Sequence, residues 1–172
     1  FDGLSALVNN AGVYENVSFL SDERTEVLDS FERVYQVNFR SPLALTHAAC
    51  KNFKSNGGGA VLNVCSRVAH RGEAEASCYS ASKAALLNLT RALAVEMAND
   101  NIKHFALAPG WVDTAMARQG MDDRLPQILE TIPLGRMASP EDCAGATAYL
   151  LSEEAKYLSG IVIDINGASY LR

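Results

Sequence analysis

The sequence predicts an α/β protein built on a doubly wound parallel sheet of about four strands with helices on both faces. Short apolar runs alternate along the chain with longer segments of helical periodicity. The apolar runs are nearly continuous, which is typical of parallel strands that are buried on both faces. A length of 172 residues matches one domain, so residues 1–172 are treated as a single unit.

Four strands are expected from the apolar runs and the turn residues beside them. The glycine run 57–59 separates the second strand from the helix before it, and Pro109-Gly110 ends the third strand. The predicted strands span residues 4–9, 60–64, 102–107 and 160–165.

Three helices are expected between these strands. The first spans about 25–56, either unbroken or interrupted near Pro42, and the second spans about 77–99. The third begins with Ser139 as its cap and Pro140 at its first position, and continues to about residue 152.

Composition excludes several classes of function. The net charge is −5 and no basic cluster is present, so we expect no nucleic-acid partner. No apolar run approaches the roughly 18 residues of a membrane span, so we expect no membrane partner. The four cysteines form no CxxC pair and join no histidine cluster, so we expect no metal site and a reducing, cytoplasmic location.

Polar and glycine-rich segments follow the predicted strands at the edge where such sheets bind ligands. This edge is formed by the carboxyl ends of the strands. The segments are Asn9–Gly12, Ser66 and Pro109–Thr114.

Tyr79 and Lys83 lie four residues apart on a predicted helix and therefore share one face. An ammonium beside a phenol favours the phenolate, so we expect Lys83 to lower the pKa of Tyr79 towards the range useful for acid–base catalysis. Ser66 could donate a hydrogen bond to a substrate oxygen. The alternatives are a solvated helix face for the pair and a turn-forming role for the serine.

Asn38 lies four residues before Pro42, which lacks an N–H group and crowds the carbonyl four positions earlier. We therefore expect a kinked helix with a free Asn38 carbonyl that could hold a water molecule. A plain helix break is an equal alternative.

Together these features resemble the short-chain dehydrogenase/reductase family, in particular its 3-oxoacyl-[acyl-carrier-protein] reductase-like branch. The resemblance covers essentially the whole chain. The matching segments are Leu7-Val8-Asn9-Asn10-Ala11-Gly12, Val37-Asn38, Asn63-Val64-Cys65-Ser66, Tyr79-Ser80-Ala81-Ser82-Lys83, Ala108-Pro109-Gly110-Trp111-Val112-Asp113-Thr114 and Pro133-Leu134-Gly135-Arg136.

The resemblance implies a Rossmann-like fold and hydride transfer between NAD or NADP and a small carbonyl or secondary alcohol. It implies that Tyr79 is the general acid–base, that Lys83 assists it and holds the cofactor ribose, that Ser66 orients the substrate oxygen, and that Asn38 holds the water of a proton relay. It also implies cofactor contacts from Asn10, Ala11, Gly12, Pro109, Gly110, Val112 and Thr114, with a substrate-binding loop at 111–131.

One departure from the family pattern is large. Members open with a strand and a glycine-rich turn that seats the pyrophosphate, and no such segment precedes Phe1. We therefore expect a fragment, the C-terminal portion of the fold without its N-terminal strands, with strand 4–9 left as an open apolar edge.

Two readings of the function follow from this departure. The chain is either the catalytic part of an oxidoreductase or a non-catalytic truncated domain that acts only in oligomer assembly. The resemblance implies a homodimer or homotetramer, with an interface formed by the helix at 77–99 and the helix that contains Asn38.

Overall fold

A four-stranded parallel sheet forms the centre of the protein, as the sequence predicts. The computed structural model describes residues 3–20, 24–118, 121 and 124–172. Within them the strand order is β1-β2-β3-β4, with β1 at Ala6–Asn9, β2 at Gly59–Val64, β3 at Ile102–Pro109 and β4 at Val162–Ile165. The outer strands begin two residues later than expected, and β3 continues two residues further.

Six α-helices connect or follow the strands in the described residues. They are α1 (Arg24–Tyr35), α2 (Ser41–Ser55), α3 (Ser77–Glu96), α4 (Ala115–Arg118), α5 (Leu125–Glu130) and α6 (Pro140–Leu150). Short 3₁₀ turns lie at Arg67–Ala69, Ala98–Asp100 and Glu153–Ala155. The four- and six-residue helices α4 and α5 were not predicted, because they are too short to show a helical period.

The cap predicted for α6 is confirmed. The Ser139 hydroxyl accepts a hydrogen bond from the Asp142 N–H at 3.2 Å, and the Asp142 carboxylate accepts one from the Ser139 N–H at 2.8 Å. This reciprocal capping box fixes where the helix starts.

Helices cover both faces of the sheet because successive strand side chains point to opposite sides. Val61 on β2 packs against Phe53 of α2, whereas its neighbour Leu62 packs against Leu150 of α6. Leu86 of α3 packs on the same face as α2, over Ala106 of β3. The doubly wound arrangement is therefore confirmed.

The first predicted helix is interrupted, although not by a break at Pro42. A π-helical turn, Gln36–Arg40, connects α1 to α2, and the Ser41 N–H donates to the Gln36 carbonyl oxygen five residues earlier. Pro42 lies in the first turn of α2, where a missing N–H costs little. The wider turn replaces the kink expected from the sequence, and such turns often occur at functional sites.

Strand β1 lies at an edge of the described sheet, as expected. It pairs with β2, and Leu4 just before it and Val8 within it remain 44% and 40% exposed. An exposed apolar edge of this kind is a site for pairing with further chain.

Among the described residues, the helices are all too short or too polar to traverse a lipid bilayer.

Candidate active site

The segments expected to form the site meet at one edge of the sheet. Since all four strands are parallel, their last residues, Asn9, Val64, Pro109 and Ile165, lie at the same edge. The loops that follow carry Asn10–Gly12, Ser66 and Gly110–Thr114. Helix α3 begins beside this edge and carries Tyr79 in its first turn and Lys83 in its second.

The Ser66 side chain acts on the Tyr79 phenol and lowers its pKa. Ser66 is 9% exposed, and its hydroxyl oxygen also accepts a hydrogen bond from the Val68 N–H at 3.3 Å. The Tyr79 ring packs edge-on against Tyr14, with ring centres 5.2 Å apart. These contacts hold the phenol oxygen towards the loop that follows β2.

Burial raises the pKa of Tyr79 to about 12. The Ser66 side chain acts in the opposite direction and is outweighed. The expectation of a lowered Tyr79 pKa is therefore wrong for this structure. Burial destabilises the phenolate by more free energy than the nearby polar groups contribute to stabilising it. Tyr79 keeps its proton at neutral pH.

Lys83 is nearly inaccessible, at 3% exposure, and its ammonium lies 5.8 Å from the centre of the Tyr79 ring. The ammonium donates to the Val64 carbonyl oxygen at 2.8 Å. That carbonyl is its single acceptor in the part of the chain that the structure describes, although an ammonium carries three N–H groups. Burial lowers the pKa of Lys83.

The Asn38 side chain lies in the π-helical turn and is completely buried. Its amide nitrogen donates to the Val13 carbonyl oxygen at 2.9 Å and to the Ser82 hydroxyl at 3.2 Å. Its amide oxygen accepts from the Val13 N–H at 2.8 Å. The prediction from the sequence concerned the backbone carbonyl of Asn38, whereas the structure places the side chain in the contacts that join three segments.

Ser82 completes this group and was missed in the sequence. Its hydroxyl donates to the Tyr79 carbonyl oxygen at 2.7 Å, and it is fully buried on α3 between the two predicted catalytic residues. Its position three residues after Tyr79, one helical turn away, was the available signal.

Gly12 lies against the floor of the site. A Cβ atom at this position would lie 3.4 Å from both the Asn38 Oδ1 and the Lys83 Nζ. The preceding residues Asn10 and Ala11 are exposed. The absence of a side chain at residue 12 therefore lets the loop after β1 pack closely against Asn38 and the Lys83 ammonium.

The loop after β3 lies across the same edge. The Gly110 N–H donates to the Ile165 carbonyl oxygen at 2.9 Å, and Val112 pairs with Ala138 in a parallel bridge. Thr114 is exposed, and its hydroxyl accepts from the Ala117 N–H at 3.3 Å at the start of α4. In the substrate-binding loop expected at 111–131, residues 119–120 and 122–123 lie outside the described residues.

A buried chain of polar side chains beneath the site was also missed. The Asn9 amide donates to Asn63 at 2.7 Å and to Thr46 at 3.0 Å, and the Asn63 amide donates to Thr90 at 2.9 Å. Asn9 of β1 and Asn63 of β2 are paired in the sheet register. Their bonds to Thr46 of α2 and Thr90 of α3 connect the two strands to two helices. Two asparagines inside otherwise apolar strands were the signal.

Known proteins resemble this chain over nearly its whole length. A family model described as enoyl-(acyl carrier protein) reductase matches residues 1–168. A 3alpha-hydroxysteroid dehydrogenase from Mediterraneibacter gnavus is 36% identical over 169 residues, which cover 98% of this chain and 66% of that protein.

Two solved structures share the fold. A putative NAD(P)-dependent gluconate 5-dehydrogenase from Beutenbergia cavernae, with bound NADP, has a TM-score of 0.91 at 33% identity, covering 96% of this chain and 66% of the other. A 3-ketoacyl-(acyl-carrier-protein) reductase from Brucella melitensis, in complex with NADH, has a TM-score of 0.89 at 31% identity, covering 99% and 69%. The chain thus spans about two thirds of the length of these relatives. With the fold, the site and these similarities in agreement, the chain belongs to the short-chain dehydrogenase/reductase family.

Proposed function

We propose that the chain is the catalytic part of an oxidoreductase that transfers a hydride between NAD or NADP and a small carbonyl or secondary alcohol. The observation that carries the proposal is the convergence on Tyr79 of the Ser66 side chain, which acts on the phenol, and of the Lys83 ammonium, which lies 5.8 Å from the centre of the ring. A proton donor, an oxygen-orienting hydroxyl and a buried cation supply the proton and the charge stabilisation that carbonyl reduction needs in addition to a hydride donor.

Tyr79 is the proton donor for a substrate carbonyl. The phenol is protonated at neutral pH because burial raises its pKa to about 12. As negative charge develops on the carbonyl oxygen, that oxygen becomes more basic than a phenolate and takes the proton. In the reverse direction Tyr79 has to lose its proton first, so oxidation of an alcohol requires a change that stabilises the phenolate.

Ser66, Lys83 and Asn38 prepare Tyr79 for this step. The Ser66 hydroxyl donates a hydrogen bond to the developing oxyanion and holds it beside the phenol. The Lys83 ammonium stabilises the phenolate left after transfer. The Asn38 side chain fixes the loop after β1 and, through Ser82, the first turn of α3.

The residues present fit a nicotinamide cofactor. Gly12 packs beside the Lys83 ammonium, and that ammonium retains N–H groups beyond the one donated to Val64. Lys83 and Tyr79 would bind the ribose hydroxyls, Asn10, Ala11 and Gly12 would line the adjacent wall, and Pro109, Gly110, Val112 and Thr114 would border the nicotinamide. When bound, the cofactor supplies the hydride chemistry. The relatives described with NADP and with NADH support either form.

The remaining parts of the proposal concern the whole protein. We propose that this chain acts within a longer polypeptide, which the length of its relatives supports. We also propose a homodimer or homotetramer that uses α2 and α3, supported by Leu45 and Val95, which are 55% and 82% exposed on these helices. The free thiols of Cys50, Cys65, Cys78 and Cys143 support a reducing compartment, the cytoplasm.

The decisive test is carbonyl reduction by the complete gene product, measured as NADH or NADPH consumption over a panel of small ketones. Tyr79→Phe retains the ring packing and removes the proton donor, so kcat should fall about 10²–10⁴-fold. Tyr157→Phe, which changes a 98% exposed tyrosine, is the matched control and should leave kcat unchanged. Full reductase activity in Tyr79→Phe would overturn the proposal. Light scattering of the same preparations measures whether the protein is a homodimer or a homotetramer.

A further inference from the structure

An ion pair beside the site has no part in the function proposed above. Arg67 follows Ser66 directly and is only 7% exposed. Its Nε donates to Glu73 Oε1 at 3.0 Å, and its Nη2 lies 2.8 Å from the same oxygen. A guanidinium buried to this degree needs such a partner, because an unpaired buried charge is costly.

The same guanidinium joins the loops at the carboxyl edge. Its Nη1 donates to the Ser169 hydroxyl at 3.1 Å, in the turn after β4, and its Cζ lies 5.4 Å from the centre of the Trp111 ring, in the loop after β3. Glu73 belongs to the segment between Ser66 and α3. One side chain thus connects the segments that follow β2, β3 and β4.

Glu73 also faces the phenol that carries the proposed chemistry. Its negative charge raises the pKa of Tyr79 and that of Tyr14. The other groups that face Tyr79 are Cys65 after β2, Tyr14 after β1, and Lys83 on α3. Arg67 is the buried cation that pairs with the Glu73 carboxylate.

We propose that the Arg67–Glu73 ion pair is a positioning element of the site, which holds the loops around Ser66 together and balances the charge that faces Tyr79. The inference rests on the proposed function for its kinetic readout alone. Removing Glu73 leaves the buried Arg67 charge uncompensated, whereas removing Arg67 leaves Glu73 with only its longer contact to Arg71, at 3.9 Å. The two removals therefore act on the Tyr79 phenolate with opposite sign. A purely structural role produces no such reversal.

The test is an NMR titration of the complete, cofactor-free protein carrying tyrosine labelled at the ring Cζ, with Tyr79 assigned from Tyr79→Phe. In Glu73→Gln the Arg67 charge is unopposed, and the Tyr79 midpoint should fall by about half to one pH unit. In the double variant Arg67→Gln/Glu73→Gln neither charge remains, and the midpoint should return towards that of the unmodified protein.

A charge-matched control is available two residues away. Glu75→Gln changes the net charge by the same amount at an exposed position. The Glu75 carboxylate raises the pKa of Tyr14, and it is not among the groups that raise the pKa of Tyr79. This variant should leave the Tyr79 midpoint in place. Equal midpoints in Glu73→Gln and Glu75→Gln, with native circular dichroism, would overturn the proposal.

Kinetics give a second, separable readout. Arg67→Lys keeps the positive charge and loses the paired Nε and Nη2 contacts to Glu73. The titration midpoint of Tyr79 should therefore be unchanged, while kcat for carbonyl reduction falls severalfold. This variant also serves if Glu73→Gln does not fold, and an unchanged kcat would then count against the proposal. If the unmodified protein reduces no carbonyl, the proposed function fails, whereas the titration still decides the role of the ion pair.

Discussion

The side chain of Asn38 exchanges two hydrogen bonds with the backbone of Val13, at 2.8 and 2.9 Å, and thereby fastens the π-helical turn to the loop after β1. One primary amide, that of Asn38, bonds both the N–H and the carbonyl of Val13. Without it, these two backbone groups would lack these partners. The arrangement explains why an amide, with both a donor and an acceptor, occupies this completely buried position.

Asn38→Ala should lower the free energy of unfolding by about 1–3 kcal/mol, because it leaves both Val13 groups without partners. Urea denaturation of the complete protein measures the change. Asn88→Ala, at an exposed position on α3, is the control and should change stability by less than about 0.5 kcal/mol. Equal stability of the two variants would contradict the role given to Asn38.

Thr90→Val tests the buried polar chain that joins Asn9, Asn63 and Thr90. The substitution preserves the shape of the side chain and removes the acceptor of the Asn63 amide, so the free energy of unfolding should fall by about 1–3 kcal/mol. Thr147→Val is the matched control. Thr147 makes the same bond as Thr90 to a carbonyl four residues earlier, and it accepts no hydrogen bond from the described residues. A loss of the same size in both variants would assign the effect to the helix bond alone.

His104 should make the fold sensitive to acid. It is fully buried on β3, and burial lowers its pKa from 6.5 to about 4. The unfolded chain therefore binds a proton at higher pH than the folded one, and stability falls as the pH drops from about 6.5 to about 4, by up to about 3 kcal/mol. Denaturation at a series of pH values should show this slope in the unmodified protein and in the exposed control His47→Gln, and a much shallower slope in His104→Leu. Parallel slopes in all three would refute it.

Tyr79 should keep its proton at pH 10, where an ordinary tyrosine is half ionised, because burial raises its pKa to about 12. The ring Cζ resonance of the cofactor-free protein reports this state directly. Adding oxidised NAD or NADP brings a positive charge to the site, so the midpoint should then move down. A midpoint at or below 10 without cofactor would show that burial does not dominate.

The strands and the helices that pack on them were predictable because they repeat a pattern over many residues. Ala60–Val64 and the α3 segment from Ser77 onward carry continuous apolar or periodic signals, and they agree with the structure to within a few residues. Strand ends and helical spacing singled out Ser66, Tyr79 and Lys83, and the resemblance to the family assigned their roles.

What could not be predicted depends on contacts between segments distant in the sequence. The sign of the Tyr79 pKa shift follows from how deeply the fold buries the phenol, and no local pattern records that. The Arg67–Ser169 contact joins residues 102 positions apart. The π-helical turn was predicted as a kink or a break, because Pro42 indicates a disturbance of the helix without specifying its form.

The π-helical turn has a consequence for how this stretch of chain tolerates change. It accommodates one residue more than a regular α-helix does, so loss of a single residue between 36 and 40 would leave a continuous, unstrained α-helix. Because the wide turn already absorbs that extra residue, α1 and α2 would keep nearly the same facing about the helix axis, and only the residues within the turn would change position. The shortened protein would have a more regular helix but a displaced Asn38 amide. Single-residue deletions here should therefore be selected against, although they improve the regularity of the helix.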